Sequence, residues 1–409
     1  MNVCVIGGGL TGLSAAYRLG DGTAIDLYEK APVLGGCCAS YGTGDVQIEQ
    51  FYHHCFSGDA MLLALLEELG LEQRLAWRTG TTGSYAGGTV HPLSTPLDIL
   101  RYPPLGLVDI ARIALVTLRS RRLDREALDQ VPARDFLLET VGASAYRSFF
   151  EPLLKSKFGD RRGDVSAAWL VSRIAIRSDR GSAGERLGYI EGGFHHLIDA
   201  LARRCADNGC RIMTGKPAET LQRTATGWEV NGTPYDAVIA TVGPSALAAL
   251  GEDRLSRIPY QGAACMTLAL DRDVLGGTYW INMAEEAPYG AVIGHTNFIP
   301  RDRYGEDIVY LASYFQDSLH PDAGERMLAD FCRRFSVGRD EIRWHRLAVE
   351  PEAGPVYTTG YRRTIPAYRN DGLYLAGMFS LPNYPERSME GSIAAGTAVA
   401  ACVREDLAA

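Results

Sequence analysis

Lysine is scarce in this chain and its cysteines follow no pattern. Of 41 basic residues among 409, four are lysine (Lys30, Lys155, Lys157, Lys216), so arginine carries nearly all the positive charge. Acidic residues number 49 and the formal charge is −8. That balance, with no basic block, argues against nucleic acid or an anionic membrane surface as the main partner. Nine cysteines occur without a C-x-x-C pair; Cys205 and Cys210 stand five apart and Cys37 and Cys38 are adjacent. An odd count without framework spacing points to a reducing compartment. No uninterrupted apolar run approaches the roughly 20 residues of a membrane helix, so no integral membrane segment is expected. Folding signals begin at Asn2 with no charged or cleavable leader before them, and a cytoplasmic location follows as the expectation. No His/Cys cluster has metal spacing and no serine sits in a nucleophile elbow. Internal repeats and low-complexity segments are absent too. Hydrophobic residues at 46% and charged residues at 22% exclude a disordered chain.

What is present reads as α/β. Val3-Cys4-Val5-Ile6 is a short continuous apolar run, the mark of a parallel strand buried on both faces. Gly7-Gly8-Gly9-Leu10-Thr11-Gly12 follows at once, then a helix pattern on Leu13, Ala16, Tyr17 and Leu19. A second strand, residues 24–28, ends on Glu29. In Gly7-x-Gly9-x-x-Gly12 the first glycine permits a tight turn, the second admits a pyrophosphate and the third lets helix pack on strand. The helix start offers free N–H groups, with Leu10 and Thr11 in its first turn, to the phosphates. Glu29 is positioned to accept ribose hydroxyls and repels a 2′-phosphate, which excludes NADP. Similar α/β character returns in a helix over 194–208 with strands at 211–213, 227–230 and 236–240. It returns again in a strand at 373–377 with a helix over 390–405. Between these lie a helical stretch and a stretch with strands near 263–270 and 308–313 and a helix near 324–334. In the first of them, Leu107, Ile110, Ala114 and Leu118 predict an amphipathic helix. Arg112, Arg119, Arg121 and Arg122 lie on or beyond its other face. The helix is expected to pack its apolar stripe on its own domain rather than on a membrane surface.

Glu29-Lys30-Ala31-Pro32-Val33-Leu34-Gly35-Gly36 adds a second glycine pair and resembles the fingerprint of the flavin-containing amine oxidase superfamily. That superfamily includes protoporphyrinogen oxidases, phytoene desaturases and UDP-galactopyranose mutases. The resemblance implies FAD, with backbone at Gly35 and Gly36 on its pyrophosphate and Lys30, Cys37 and Ser40 beside it. Cys37, Cys38 and Ala39 stand where the superfamily usually carries Arg. Gly192-Gly193-Phe194 and Thr214-Gly215-Lys216-Pro217-Ala218-Glu219 match the segment whose backbone, here near Ala218, holds the adenine. Leu375-Ala376-Gly377-Met378 with Ser388-Met389-Glu390-Gly391 looks like the C-terminal flavin motif. Met378 replaces its usual Asp, and Met389 and Gly391 would face flavin N1 and O2. The implied fold is α/β: a discontinuous Rossmann-like FAD-binding domain (1–75, 187–249, 368–409) with an inserted mixed α/β substrate domain. The insert comprises a mostly helical part, 76–186, and a sheet-rich part, 250–367.

Gln50-Phe51-Tyr52-His53-His54-Cys55-Phe56 falls where such a chain passes the isoalloxazine and is similar to a histidine segment of the mutases. Read as a strand, it sends His53 and His54 to opposite faces, so one imidazole, expected to be His54, faces the active site. A pKa near neutrality would suit it for proton transfer. Superfamily amine oxidases often carry a lysine in the substrate-domain strand; Gly262 to Thr267 has none. Lys157, with Lys155 nearby, could anchor an anionic substrate, and Tyr357 and Tyr384 could form an aromatic wall. Tyr384 is the better placed of the two. The function implied is an FAD-dependent oxidoreductase. It would take hydride from a C–H bond α to nitrogen, or allylic, in a small molecule, with O2 a candidate electron acceptor. Two alternatives stand beside it: a mutase-like non-redox flavoenzyme on a nucleotide sugar, and a flavin-free GDI-like binding protein.

Overall fold

The computed structural model describes residues 1–20, 22–177, 180–181, 184–385 and 388–408. A six-stranded sheet runs in the order Arg211–Met213, Ala24–Tyr28, Asn2–Ile6, Ala237–Ala240, Leu373–Leu375, Arg369–Asn370. Its first five strands are parallel and the last is antiparallel. Val3, Cys4, Val5, Val238 and Ile239 have no solvent exposure, as a parallel sheet covered on both faces requires. Helix Leu10–Leu19 packs against the C-terminal helix Ser388–Ala408. Their contact is close because a Cβ at Gly396 would lie 2.4 Å from the Thr11 carbonyl oxygen. Helix His195–Asp207 joins them, with the Cys205 thiol donating to the Leu13 carbonyl at 3.5 Å.

A seven-stranded mixed sheet makes the second layer. Its order is Ile342–Pro355, Tyr260–Leu270, Asp307–Phe315, Ala291–Gly294, Trp280–Met283, Thr82–Ala86, Thr89–Pro92. Trp280–Met283 pairs in parallel with Thr82–Ala86, which ties the two intervening stretches of chain into one sheet. The helices expected near 324–334 and 390–405 run Ala323–Phe335 and Ser388–Ala408.

Two expectations fail. Residues 50–54 form no strand; Cys55 alone pairs, in an isolated bridge with Gly188. Helix Leu107–Arg119 forms, but of its expected apolar stripe only Ile110 packs on the core, and the other three positions face outward. Leu107 is 75% exposed and Leu118 79%, and Ala114 is exposed as well. The opposite face is buried instead, because Asp109 both accepts the Gly106 N–H at 3.2 Å and takes a hydrogen bond from the Ser144 hydroxyl at 2.8 Å. That anchor turns Asp109 and Val116 inward and the leucines outward.

Candidate active site

The Gly7–Gly12 turn is built for a pyrophosphate. Gly7 has φ +108, and a Cβ at Gly12 would stand 1.9 Å from the Gly7 carbonyl oxygen, so strand end and helix start meet only through glycine. The helix begins at buried Leu10, Thr11 and Gly12 with no side-chain cap, and its first bonded amide is Leu13 N–H to Gly9 O at 3.0 Å. A buried helix start must find acceptors for its free N–H groups, and phosphate oxygens supply them. The second glycine pair lies alongside. Gly35 donates to the Gly8 carbonyl at 2.9 Å, and Gly35 and Gly36 have φ +114 and +56. A Cβ built on Gly9 meets nothing within 4 Å except Gly36 Cα at 4.0 Å, so a trough without side chains runs between the turns.

Glu29 closes one end of the trough. Its Oε2 accepts the Gly8 N–H at 2.6 Å and its Oε1 the Ala31 N–H at 2.8 Å. Each oxygen keeps a lone pair for a ribose hydroxyl. Lys30 beside it is exposed. Gly215 and Lys216 donate to the Ala31 and Glu29 carbonyls at 2.7 and 2.8 Å, which lays the loop to half-buried Ala218 next to this end. Cys37 and Ser40 are half-buried in the chain that leaves the Gly35–Gly36 turn. Burial pushes the Cys37 thiol up to about 12, with Glu350 adding to it, so it is no thiolate at neutral pH.

Gly377 and Gly391 meet at Asn383, a residue the sequence reading did not single out, with Met378 and buried Met389 next to them in the chain. Asn383 is fully buried and its Nδ2 donates to the Gly377 carbonyl at 3.0 Å. A Cβ at Gly391 would lie 2.4 Å from Asn383 Oδ1, and the Ser392 hydroxyl reaches Met378 Sδ at 3.5 Å. Glu390 turns away to accept the Met61 and Leu62 N–H groups at 3.0 and 2.8 Å, starting the helix Ala60–Glu68. Because the C-terminal helix crosses helix Leu10–Leu19 at Thr11, both glycine motifs and this turn face one region. The residues present therefore fit an FAD.

The two histidines part company without a strand to separate them. His53 Nδ1 lies 2.7 Å from the Phe51 carbonyl and its Nε2 3.6 Å from Cys38 Sγ, on the glycine-turn side. His54 Nδ1 lies 3.0 Å from the Tyr279 hydroxyl, on the seven-stranded sheet side. Its ring stands edge-on to Phe56 and Trp280 at 5.2 and 6.3 Å. Arg177 covers the Trp280 ring at 5.1 Å, and Tyr52 packs on the same indole at 5.0 Å. Arg173, one turn before Arg177 on helix Ala167–Arg177, acts on both His54 and Tyr52. Burial pushes the His54 pKa well below the ordinary histidine value, and Arg177, Arg173 and His53 push the same way. The near-neutral imidazole expected from sequence is thus a neutral one throughout the physiological range. Lys157 extends the group, its ammonium 5.2 Å from the Trp169 ring and 5.5 Å from that of Tyr314.

The tyrosine wall is not brought here as expected. Tyr357 is 3% exposed, packed against Tyr361 and Tyr384 at 5.0 and 5.7 Å, and its hydroxyl donates to the Asn383 carbonyl at 3.4 Å. It is a core residue. Tyr384 is half-buried, stacked on Tyr361 at 5.2 Å, with its hydroxyl bonded to Asp129. Sequence reasoning missed Arg173, Arg177, Tyr279 and Trp280. The i, i+4 arginine pair was the one local signal for them.

Comparison with known proteins places this geometry. The family described as flavin containing amine oxidoreductase matches residues 10–404. The coproporphyrinogen III oxidase of Mycobacterium tuberculosis is 29% identical over 227 residues, 49% of this chain and 50% of that one. The match thus spans about half the length of these curated relatives. A candidate protoporphyrinogen oxidase from Exiguobacterium sp. superposes with TM-score 0.79 at 19% identity, covering 99% of each chain. Reduced UDP-galactopyranose mutase superposes with TM-score 0.74 at 15% identity, covering 99% of this chain and 94% of that one. At such identities the likeness is one of fold.

Proposed function

This chain belongs to the flavin containing amine oxidoreductase family, with FAD as its cofactor, and on that premise we propose an FAD-dependent oxidoreductase acting on an anionic, unsaturated small molecule. The reaction is removal of hydride from an allylic C–H bond or one α to nitrogen. When bound, the flavin supplies the hydride acceptor. The protein's own part is to bind, orient and hold protons. One observation supports the substrate class: Arg173 and Arg177, the latter also 3.7 Å from the Glu185 carboxylate, lie with Trp280 and Tyr52 near His54, and Lys157 lies beside Tyr314. Guanidinium and ammonium groups at a half-buried site favour a carboxylate-bearing ligand over a hydrocarbon. The aromatic faces suit a planar conjugated body. With Nδ1 at the Tyr279 hydroxyl, a neutral His54 would orient the substrate by hydrogen bonding as the C–H bond is lost. Strand Tyr260–Leu270 carries no lysine, which speaks against a simple amine as substrate.

Anaerobic titration of the yellow holoenzyme tests this. Coproporphyrinogen III, the compound in the mycobacterial relatives' name, is the first to try, beside a neutral polyene, an aliphatic amine and UDP-galactose. Bleaching of the flavin by the carboxylated substrate is the expected result. Bleaching by the polyene or amine alone would refute the anionic class. Turnover of the nucleotide sugar only after dithionite would refute oxidoreduction.

A further inference from the structure

Among the described residues, the outward stripe of helix Leu107–Arg119 has no partner in the fold. Among the described residues eleven large apolar side chains are exposed, and six of them fall within residues 97–118. Leu97 and Leu100, at 52% and 51%, lie on helix Pro96–Leu100; Leu107, Val108, Leu115 and Leu118, at 75%, 65%, 46% and 79%, lie on the next helix. At about 100° per residue, the last four fall with exposed Ala111 and Ala114 in one face roughly 120° wide. Monomeric soluble surfaces rarely gather apolar side chains this way without a use for them.

The charge around the stripe is predominantly positive. Arg101, Arg112, Arg119, Arg121 and Arg122 are all exposed. From residue 96 to 123 the acids are Asp98, half-buried and held in the cap of its own helix by the Thr95 N–H, and Asp109, buried and spent on the helix start and Ser144. Arg112 and Arg119 flank the leucine face rather than opposing it. A chain of net charge −8 thus carries a local surface of five cations beside its most exposed leucines.

We infer that helices Pro96–Leu100 and Leu107–Arg119 form a docking surface for an anionic lipid bilayer, lying in the headgroup plane. Leucines enter the acyl boundary while the arginines meet lipid phosphates and carboxylates. The helix has 13 residues and no helix among the described residues is long and apolar enough to span a membrane, so the contact is a surface one. A second copy of the chain is a poorer occupant. Twofold contact through this face would set Arg101, Arg112, Arg119 and Arg122 against their own copies, with both nearby acids, Asp98 and Asp109, already engaged in helix caps. The inference does not depend on the proposed reaction.

Holoenzyme is mixed with large vesicles of phosphatidylcholine alone or with about one-third phosphatidylserine, and bound protein is measured by flotation. Flotation with the anionic vesicles is expected, weaker without phosphatidylserine and weaker in high salt. The triple variant Leu107→Ser/Leu115→Ser/Leu118→Ser should lose at least about tenfold in partitioning while its flavin spectrum stays unchanged. Arg119→Glu/Arg122→Glu gives the same reading independently if the triple variant fails to fold. Wild-type protein that stays with the buffer, or variants that float as well as wild type, would overturn the inference. So would a dimer by light scattering that the triple variant abolishes.

Discussion

Two glycines of one turn make opposite demands, and substituting each separates folding from cofactor binding. A methyl added at Gly9 enters the empty trough, where the nearest atom is Gly36 Cα at 4.0 Å, and the local φ of −76 suits alanine. The protein without FAD should therefore keep its stability. The pyrophosphate, however, must approach the Leu10, Thr11 and Gly12 amides to about 2.9 Å. A methyl in that space displaces it by about 1 Å, enough to break one or two charge-assisted hydrogen bonds. At about 1.5–3 kcal/mol each, the loss is about 1.5–6 kcal/mol, or roughly 10- to 10,000-fold in Kd. A methyl at Gly12 meets the Gly7 carbonyl at 1.9 Å and Thr241 Oγ1 at 2.9 Å. It must force helix from strand, at about 3 kcal/mol or more, whether or not FAD is present. Flavin fluorescence titration and urea unfolding of the stripped proteins provide the two readouts. Wild-type FAD affinity in Gly9→Ala would refute the trough as the pyrophosphate site. Unchanged urea stability in Gly12→Ala would refute the packing argument.

Four further outcomes are expected. Glu29→Ala should lower both FAD retention and stability without FAD, because the carboxylate holds the Gly8 and Ala31 amides as well as facing the ribose; stability equal to wild type would contradict this. His54→Ala should keep its flavin but slow flavin reduction by about 10²-fold, as followed by stopped-flow bleaching. His53→Ala, whose ring packs between Phe51, Cys38 and Phe194, should lose stability with reduction nearly intact. Stability should fall on acidification: burial pushes His295 and His196 down to about 4, so the folded state keeps them neutral while the unfolded chain protonates. The stabilisation is then complete above about pH 6.5 and lost progressively from there towards about pH 4. Urea midpoints at pH 7.5 and 5.0 that coincide would contradict this.

Some of this protein was written locally. Gly7, Gly9, Gly12, Gly35 and Gly36 had to be glycine because of a turn, a close contact or a positive φ that neighbouring residues already imply. Glu29 follows from the length of one helix and one strand. The apolar runs around Val3–Val5 and Val238–Ile239 name a parallel sheet because both faces must be covered. What sequence could not decide is which neighbour claims a side chain. Residues 50–54 looked like a strand, yet among the described residues no strand pairs with them, and the histidines are separated by Phe51, Cys38 and Tyr279 instead. Tyr357 looked available and is packed away behind Asn383. Arg173 and Arg177 act on a histidine more than a hundred residues earlier, a distance over which no local pattern reports. The helix Leu107–Arg119 shows the same limit. Its period was legible, but Ser144 claimed Asp109 and so decided which face met the protein and which met the surroundings. Backbone geometry is set by near neighbours along the chain; orientation is set by contacts that exist only after folding.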